Sequence, residues 1–471
     1  MAWGLSALTF ALLFSIVVQV LRTTTDDTNA GAPGFVPPAL TALAVVAAIF
    51  GVGAFVRRAD LEVSRWLAWL IGTVSLLFAL MPFVILTSGR TDTAALLYRG
   101  LRIPQGIERF WDLALVLRSI DCSAVGVDVF AEHNGCLQDP AIYGPGMLWL
   151  RYAPFGLFSF GNVLLLGVLM MVVSSLALVW LARESTGLGQ VVLFVAALGA
   201  PWLLLLERGN IDAVLIWVAI IAVIIVRRWP TLWSWSAAAF LIWLVGTWKY
   251  YPFAMGILLL PVLWIRRGWI VLSAYVMASL GFVLLTWSNF KFSMQSNSNM
   301  TEIGDYVVLG RVPVVARMLG SVFPTSGLQL GDVIVTALAL AALAWGAVIG
   351  LGTAARRPGR ELQLAMLASA GSAMFLASVL VGGFGWAYKA AFLLLCVPLV
   401  SWLLQKQGRL NTYAALVILA LISVCSIVVW NTLLASVAGI VAASFAAGLS
   451  VVVLTRPAFQ RHTRSVADGG R

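Results

Sequence analysis

The chain reads as an all-α polytopic membrane protein, and three observations predict this. Of its 471 residues 61% are hydrophobic and only 10% charged. Apolar windows of near-spanning length recur from Trp3 to Leu454. Those windows are too long and continuous for barrel strands, and in lipid only a helix or a closed barrel satisfies its own backbone. A spanning helix needs about 20 mostly apolar residues, so the windows amount to a bundle of about 14 transmembrane helices in one domain covering residues 1–471, with a long external loop carrying interfacial helices.

Taken in order, Trp3–Leu21 comes first. It lacks a basic start, and the Arg22-Thr-Thr-Thr that follows lacks the small residues of a cleavage site, so a retained span is expected rather than a leader. Ala39–Val56 and Trp66–Leu86 follow. Hydrophobicity then breaks for its longest stretch, residues 87–161, the first large external loop. Within it Ile107, Phe110, Trp111, Leu113, Leu115, Val116 and Ile120 make much of one helical face apolar, which predicts a helix lying on the membrane surface with Asp112 near its start. Cys122–Gly146, punctuated by glycine and proline, reads as an ordered loop, and Met147–Phe160 as an interfacial or re-entrant piece.

The apolar windows then resume as Val163–Leu181, Val191–Leu206, Ala213–Val226, Leu232–Val245, Phe253–Ile265 and Trp269–Trp287. A second break at residues 288–331, rich in Ser, Asn and Gly, reads as a lid or a flexible external loop. Val333–Gly352, Leu362–Leu380, Ala390–Leu404, Ala414–Trp430 and Leu433–Leu454 complete the spans and leave a tail at residues 456–471.

Arginine and lysine set the orientation. With the N-terminus in the cytoplasm, the pairs Arg57-Arg58, Arg227-Arg228, Arg266-Arg267 and Arg356-Arg357 and the basic tail all fall inside, and only Asp60, Glu62, Glu184, Glu361 and Asp468 of the 19 acids do. Both termini are therefore expected to be cytoplasmic and the acid-rich loop external. The net charge of +11 follows from this topology. The basic residues are paired loop anchors, without the patch and interleaved aromatics of a nucleic-acid binder, so the expected contacts of that surface are membrane lipids and not nucleic acid.

The chain has only two histidines, His133 and His462, which excludes histidine-rich metal sites, and no phosphate loop, HExxH or GxSxG motif occurs. Any chemistry must rest on carboxylates and cations. Of the four cysteines, Cys396 and Cys425 lie in apolar windows and read as small packing residues, whereas Cys122 and Cys136 share the external loop, on the oxidising side, where a disulfide can persist.

Five aspartates crowd that loop between Asp92 and Asp139. Charge beside a bilayer usually marks chemistry or a substrate path. Two short external turns add cations. Glu207-Arg208-Gly-Asn210-Ile-Asp212 admits a plain structural reading, an Arg208–Asp212 pair one turn apart with Asn210 capping the next helix. Lys249-Tyr250-Tyr251-Pro252 admits another, a snorkelling lysine with its tyrosines in the aromatic belt. Taken jointly with the acidic loop, the turns read as an anion site facing a general base.

An acid at the start of an external helix, then Gly126-x-Asp128-Val-Phe130, Cys136, Tyr143-x-Pro145, Glu207-Arg-Gly-Asn-Ile-Asp212 and Lys249-x-Tyr-Pro252, resembles family eighty-seven of the membrane glycosyltransferases. The resemblance runs from roughly Trp66 to Lys406. It implies the GT-C fold, a polyprenyl-phosphate sugar as donor with no further cofactor, and a cell-envelope glycan or glycolipid as acceptor, with mannosyl and arabinosyl transferases among the relatives. By spacing, Asp112 matches the family's candidate base and Asp128 belongs to its second motif, so both are candidate catalytic residues, while Tyr143, Glu207, Arg208, Asn210, Asp212, Lys249 and Tyr250 fall on substrate-binding positions. Members commonly carry a Tyr-Pro pair where this chain has Tyr143-Gly-Pro145, and their first external loop follows the first helix, so residues 1–65 would be an added hairpin.

Such a transfer requires a base for the acceptor hydroxyl and cations for the departing phosphate. Asp112 would supply the first, and Arg208 and Lys249 the second. A transporter or flippase of a lipid-linked or anionic solute is the rival reading. It predicts charges at the midplane on broken helices, whereas here the polar groups cluster at one face. A non-catalytic scaffold is a third.

Overall fold

The computed structural model describes residues 65–87, 110–131, 135–137, 141, 143–299, 330–353, 360–380, 387–406, 408–427 and 432–468. The expected spans Trp3–Leu21 and Ala39–Val56, and the acids Asp92 and Asp139, lie outside these residues. Among the described residues the protein is helical, without a strand.

Helix α1 (Arg65–Thr87) is followed by α2 (Trp111–Ala124), which buries Leu113, Val116, Leu117 and Ile120 as the apolar periodicity requires. Tight 3-10 turns at Pro145–Tyr152, Pro154–Gly156 and Phe160–Asn162 lead into α3 (Val163–Glu184). Then come α4 (Gly187–Ala197), α5 (Ala200–Glu207), α6 (Asp212–Arg228), α7 (Leu232–Lys249), a 3-10 helix over Tyr251–Trp264, α8 (Gly268–Leu285) and α9 (Trp287–Asn299). The C-terminal group is α10 (Leu330–Thr353), α11 (Arg360–Leu380), a 3-10 helix over Ala387–Cys396 running into α12 (Val397–Trp402), α13 (Arg409–Ile427) and α14 (Thr432–Asp468). Among the described residues, six helical segments are long and apolar enough to cross a membrane, or seven if the bent pair of α4 and α5 is one span.

Local chemistry explains where the elements depart from the apolar windows. Val191–Leu206 is not one straight helix. It breaks at Leu198-Gly199 and bends by 55°, because Pro201 in the first turn of α5 cannot continue an amide ladder from α4. The windows Phe253–Ile265 and Ala390–Leu404 wind partly as 3-10 helix beside Pro252, Pro261 and Pro398, each of which removes a donor from the α pattern. The polar stretch after Trp287 opens as α9 rather than as loop, held by Phe290, whose ring meets Tyr250 edge-on at 5.1 Å. At the start of α7 a capping box closes the turn: the Ser234 amide donates to Thr231 Oγ1 at 3.3 Å, and the Thr231 amide donates to Ser234 Oγ at 3.1 Å.

Helix α11 sits in the middle, against Tyr251–Trp264, Ala387–Cys396, α6 and α14. Its buried Ser369, Ser372 and Ser378 return their hydroxyls to carbonyls one turn earlier at 2.7–2.8 Å, so small polar side chains occupy the interior without orphaned donors. Helices α10 and α14 pack backbone to backbone. A Cβ on Gly346 would strike the Phe445 carbonyl, and one on Gly350 would crowd Val452, the close approach that glycines four apart permit in lipid. Outward, Leu164, Leu165 and Leu169 of α3 and Met277, Leu280 and Leu284 of α8 stay exposed, as a lipid-facing surface requires.

The charges divide between the two ends. At one end Glu184 receives Arg227 and Arg360, each at 3.3 Å, and Lys406 pairs with Glu361 at 2.8 Å. At the other end, where α6 starts and α7 stops, lies a second and more deeply buried cluster.

Candidate active site

Three segments build that cluster. The first is the start of α2. Phe110 adopts the left-handed conformation (φ 51°), which turns its ring inward onto Gly167 of α3, where a Cβ would collide with it. Phe110 offers no side-chain cap to the helix. The amides of Asp112 and Leu113 instead donate to the carbonyl of Arg208 at 3.1 and 3.3 Å, which satisfies two of the donors every helix start leaves open. Gly209 follows at φ 58°, close against Phe110 and Leu113, so the α5–α6 loop and α2 are joined through the main chain.

That junction fixes the side chains. Asn210 donates from Nδ2 to Asp112 Oδ2, while its Oδ1 accepts from the Asp212 amide at 2.9 Å and from Lys249 Nζ at 3.0 Å. Arg208 Nη1 stands 3.6 Å from Asp112 Oδ1, and its guanidinium lies 5.4 Å over the Trp111 ring. The second segment is the start of α6, where Asp212 pairs with Lys249 at 2.7 Å and with Lys389 at 2.6 Å. The third is the turn after α7. Tyr250 takes φ 60°, ψ −56°, a conformation rare outside glycine, and it carries Tyr251 into the cluster, where its hydroxyl donates to Asp212 Oδ1 and accepts from Lys389 Nζ at 2.7 Å. Tyr143 forms a wall, its ring 5.1 Å from Lys249 Nζ.

Exposure separates the two carboxylates. The Asp212 side chain is 1% exposed, with Oδ1 against Lys249 and Tyr251 and Oδ2 facing Lys389, whereas Asp112 keeps 16%. Burial raises the Asp112 carboxyl above the usual carboxylate value, opposed by Arg208, the Asn210 hydrogen bond and Lys249, and assisted by Asp212. An anionic Asp112 can accept a proton, and the neighbouring cations can receive an anion as it forms.

The structure brings together Asp112, Tyr143, Arg208, Asn210, Asp212 and Lys249. Glu207, half-buried, closes α5 next to Arg208. Two expected residues stand elsewhere. Asp128 is exposed in the turn beyond α2, accepting from the Phe130 amide at 3.1 Å. The 14 residues of α2 separate it from Asp112 by about 20 Å. Tyr250 points away and bonds Thr286 at 3.2 Å, because the turn at its own backbone delivers Tyr251 instead. The expected Arg208–Asp212 pair is also replaced: Arg208 turns to Asp112, and Asp212 takes the two lysines. Lys389 and Trp111 join the site without a place in the motifs, and Tyr251, the tyrosine of Lys249-x-Tyr-Pro252, takes the position expected of Tyr250. Lys389 carried a legible signal, a lysine within an otherwise apolar run, which normally marks function or a buried partner.

Cys122 and Cys136 are bonded, with a Cα–Cα distance of 6.1 Å, and tie the end of α2 to the loop that follows. Cys396 and Cys425 are free and buried. Among the described residues no group of three or more His, Cys, Asp or Glu side chains is placed to hold a metal ion. No family model, curated protein or solved structure matches the chain.

Proposed function

We propose that the protein is a membrane glycosyltransferase of GT-C type, a bundle of about 14 spans by the length rule, which moves a sugar from a polyprenyl-phosphate donor to a cell-envelope glycan or glycolipid. Mannose and arabinose are the sugars the resemblance favours. The site faces the outside of the plasma membrane in this reading. One observation carries it: at one end of an apolar bundle, Asp112 combines residual exposure with a setting of three cations, Arg208, Lys249 and Lys389.

In this mechanism Asp112 takes the proton of the acceptor hydroxyl as that oxygen attacks the anomeric carbon. The bond from that carbon to the phosphate oxygen breaks, polyprenyl phosphate departs as an anion, and the sugar inverts. General-base help of this kind is typically worth about 100- to 10,000-fold. The leaving group needs no proton, so the second carboxylic acid of a glycosidase has no task. Arg208 and the lysines receive the phosphate through charge-assisted hydrogen bonds, and Asp212 holds both lysines in place until it arrives.

A transporter or flippase is the second reading, supported by the 55° break between α4 and α5, whose C-terminal arm ends beside the cluster. Purified protein in lipid vesicles, incubated with radiolabelled polyprenyl-phosphate sugars and candidate glycan acceptors, separates the two. Label in the acceptor supports transfer; movement of donor or solute across the vesicle without label in any acceptor moves the assignment to transport.

A further inference from the structure

Between α2 and α3 the chain makes an exposed aromatic tip that the charged cluster does not use. Phe155 is fully exposed (102%), with Tyr152 and Leu157 exposed on either side. A ring so placed is expected to relax onto the surface, yet the backbone holds it out. Phe155 sits at φ 60° and Gly156 at φ 59°, a conformation that is unfavourable for a residue with a side chain and persists where the surroundings over-determine it. Those surroundings are on both flanks. Asn162 Nδ2 donates to the carbonyls of Gly156 and Leu157 at 3.0 and 3.1 Å. Arg151 donates to the carbonyl and hydroxyl of Ser123 in α2 at 3.1 and 2.8 Å and lies over the Tyr152 ring at 4.7 Å. The Phe160 amide donates to Asp121 of α2 at 2.8 Å. The tip is a rigid projection braced on α2.

Its position identifies what it meets. The tip lies five residues before the segment Phe160–Glu184, which is long and apolar enough to span a bilayer, so at about 2 Å per residue it stands within roughly 10 Å of that segment's start. Leu164, Leu165 and Leu169 in the first turns of α3 are exposed as well. An aromatic ring, a tyrosine and an arginine at the level of a span's end match the amphipathic belt where headgroups meet acyl chains. We propose that residues 152–157 form an interfacial anchor, inserting Phe155 and Leu157 into the phospholipid leaflet on the side of the charged cluster and thereby setting the height of α2 and Asp112 against that leaflet. This holds whichever reaction the cluster performs.

A nitroxide on Phe155→Cys tests it in the full chain, because the native cysteines are either bonded or buried and leave one labelling position. The protein is placed in vesicles of phosphatidylethanolamine with phosphatidylglycerol, and relaxation by oxygen is compared with relaxation by a water-soluble nickel chelate. Asp128→Cys, in an exposed turn, is the aqueous reference, and Leu165→Cys, on the outer face of α3, the bilayer reference. The expected result is an oxygen-to-nickel ratio at position 155 on the bilayer side, close to that at 165. A ratio equal to that at 128 overturns the anchor and leaves the tip as a surface for a protein or glycan. A position 155 shielded from both reagents also overturns it, because a protein partner or a second copy then covers the tip.

Discussion

Asp112 and Asp212 are both carboxylates of one cluster, yet their surroundings give them different work. Two lysines and a tyrosine hydroxyl surround the carboxylate of Asp212, whereas Asp112 has one amide donor, one cation at 3.6 Å and a partly exposed side chain. Replacing Asp112 by Asn keeps its size and removes the proton acceptor, so transfer is expected to fall by about 100-fold or more while donor affinity survives, measured by single turnover and by donor titration. Full transfer by a folded Asp112→Asn protein would remove Asp112 as the base. The pH profile gives an independent measure. The base acts when deprotonated and burial raises its pKa, so the acid limb of the rate should lie above the 3.8 of an ordinary aspartate. Arg208 favours the anion, so Arg208→Gln should move that limb to still higher pH; no movement would detach Arg208 from the carboxylate. The adjacent tyrosines give a matched pair. Tyr251→Phe strips a donor from Asp212 and an acceptor from Lys389, while Tyr250→Phe gives up only Thr286. The first should lower stability by roughly 1 kcal/mol or more and weaken donor binding, the second should leave donor binding unchanged, and equal effects on binding would contradict the placement.

At the scale of elements, α2 is held at both ends. Its start hangs on the Arg208 carbonyl and the Phe110 ring, and its end is tied by the Cys122–Cys136 bond and by Asp121 and Ser123 to the turns before α3. Opening the bond by Cys136→Ser should cost up to about 3 kcal/mol, read as a lower unfolding midpoint. The start of α2 has its own attachments, so the variant should retain most of its transfer. An equal loss of transfer and of stability would mean that the two ends are not independently held.

For the whole molecule, the separation of charge between two ends is the organising fact. On the proposed reading the Glu184 end faces the cytoplasm with the tail and the Asp112 end faces out. Ser296→Cys should react with a membrane-impermeant thiol reagent in intact cells, and Ser465→Cys only after permeabilisation; the reverse pattern would invert the topology. The apolar helical character was legible in the sequence, because hydropathy is a property of composition along the chain. The order and approximate limits of α3, α6, α8 and α11 follow from apolar length alone, and Asp112 was found because an acid at the head of an amphipathic stretch is locally conspicuous. What escaped depends on direction in space. Whether Tyr250 or Tyr251 enters the cluster is decided by one φ angle, and whether Arg208 turns to Asp212 or to Asp112 is decided by a contact 96 positions back along the chain. Lys389 was visible as a residue but its partner was not, since nothing in a linear pattern joins it to Asp212. Asp128, the second catalytic candidate, is set apart from Asp112 by the length of α2, a separation that a linear motif does not display.

The carbonyl of Arg208 has a use beyond the helix it supports. Because the peptide oxygen accepts the first amides of α2, the seat of that helix is written into the main chain, while the buried guanidinium of the same residue faces the carboxylate. A replacement at that position takes away the guanidinium and leaves the peptide oxygen that seats the helix. The site thus takes two contributions from one residue, one electrical through its side chain and one geometric through its backbone.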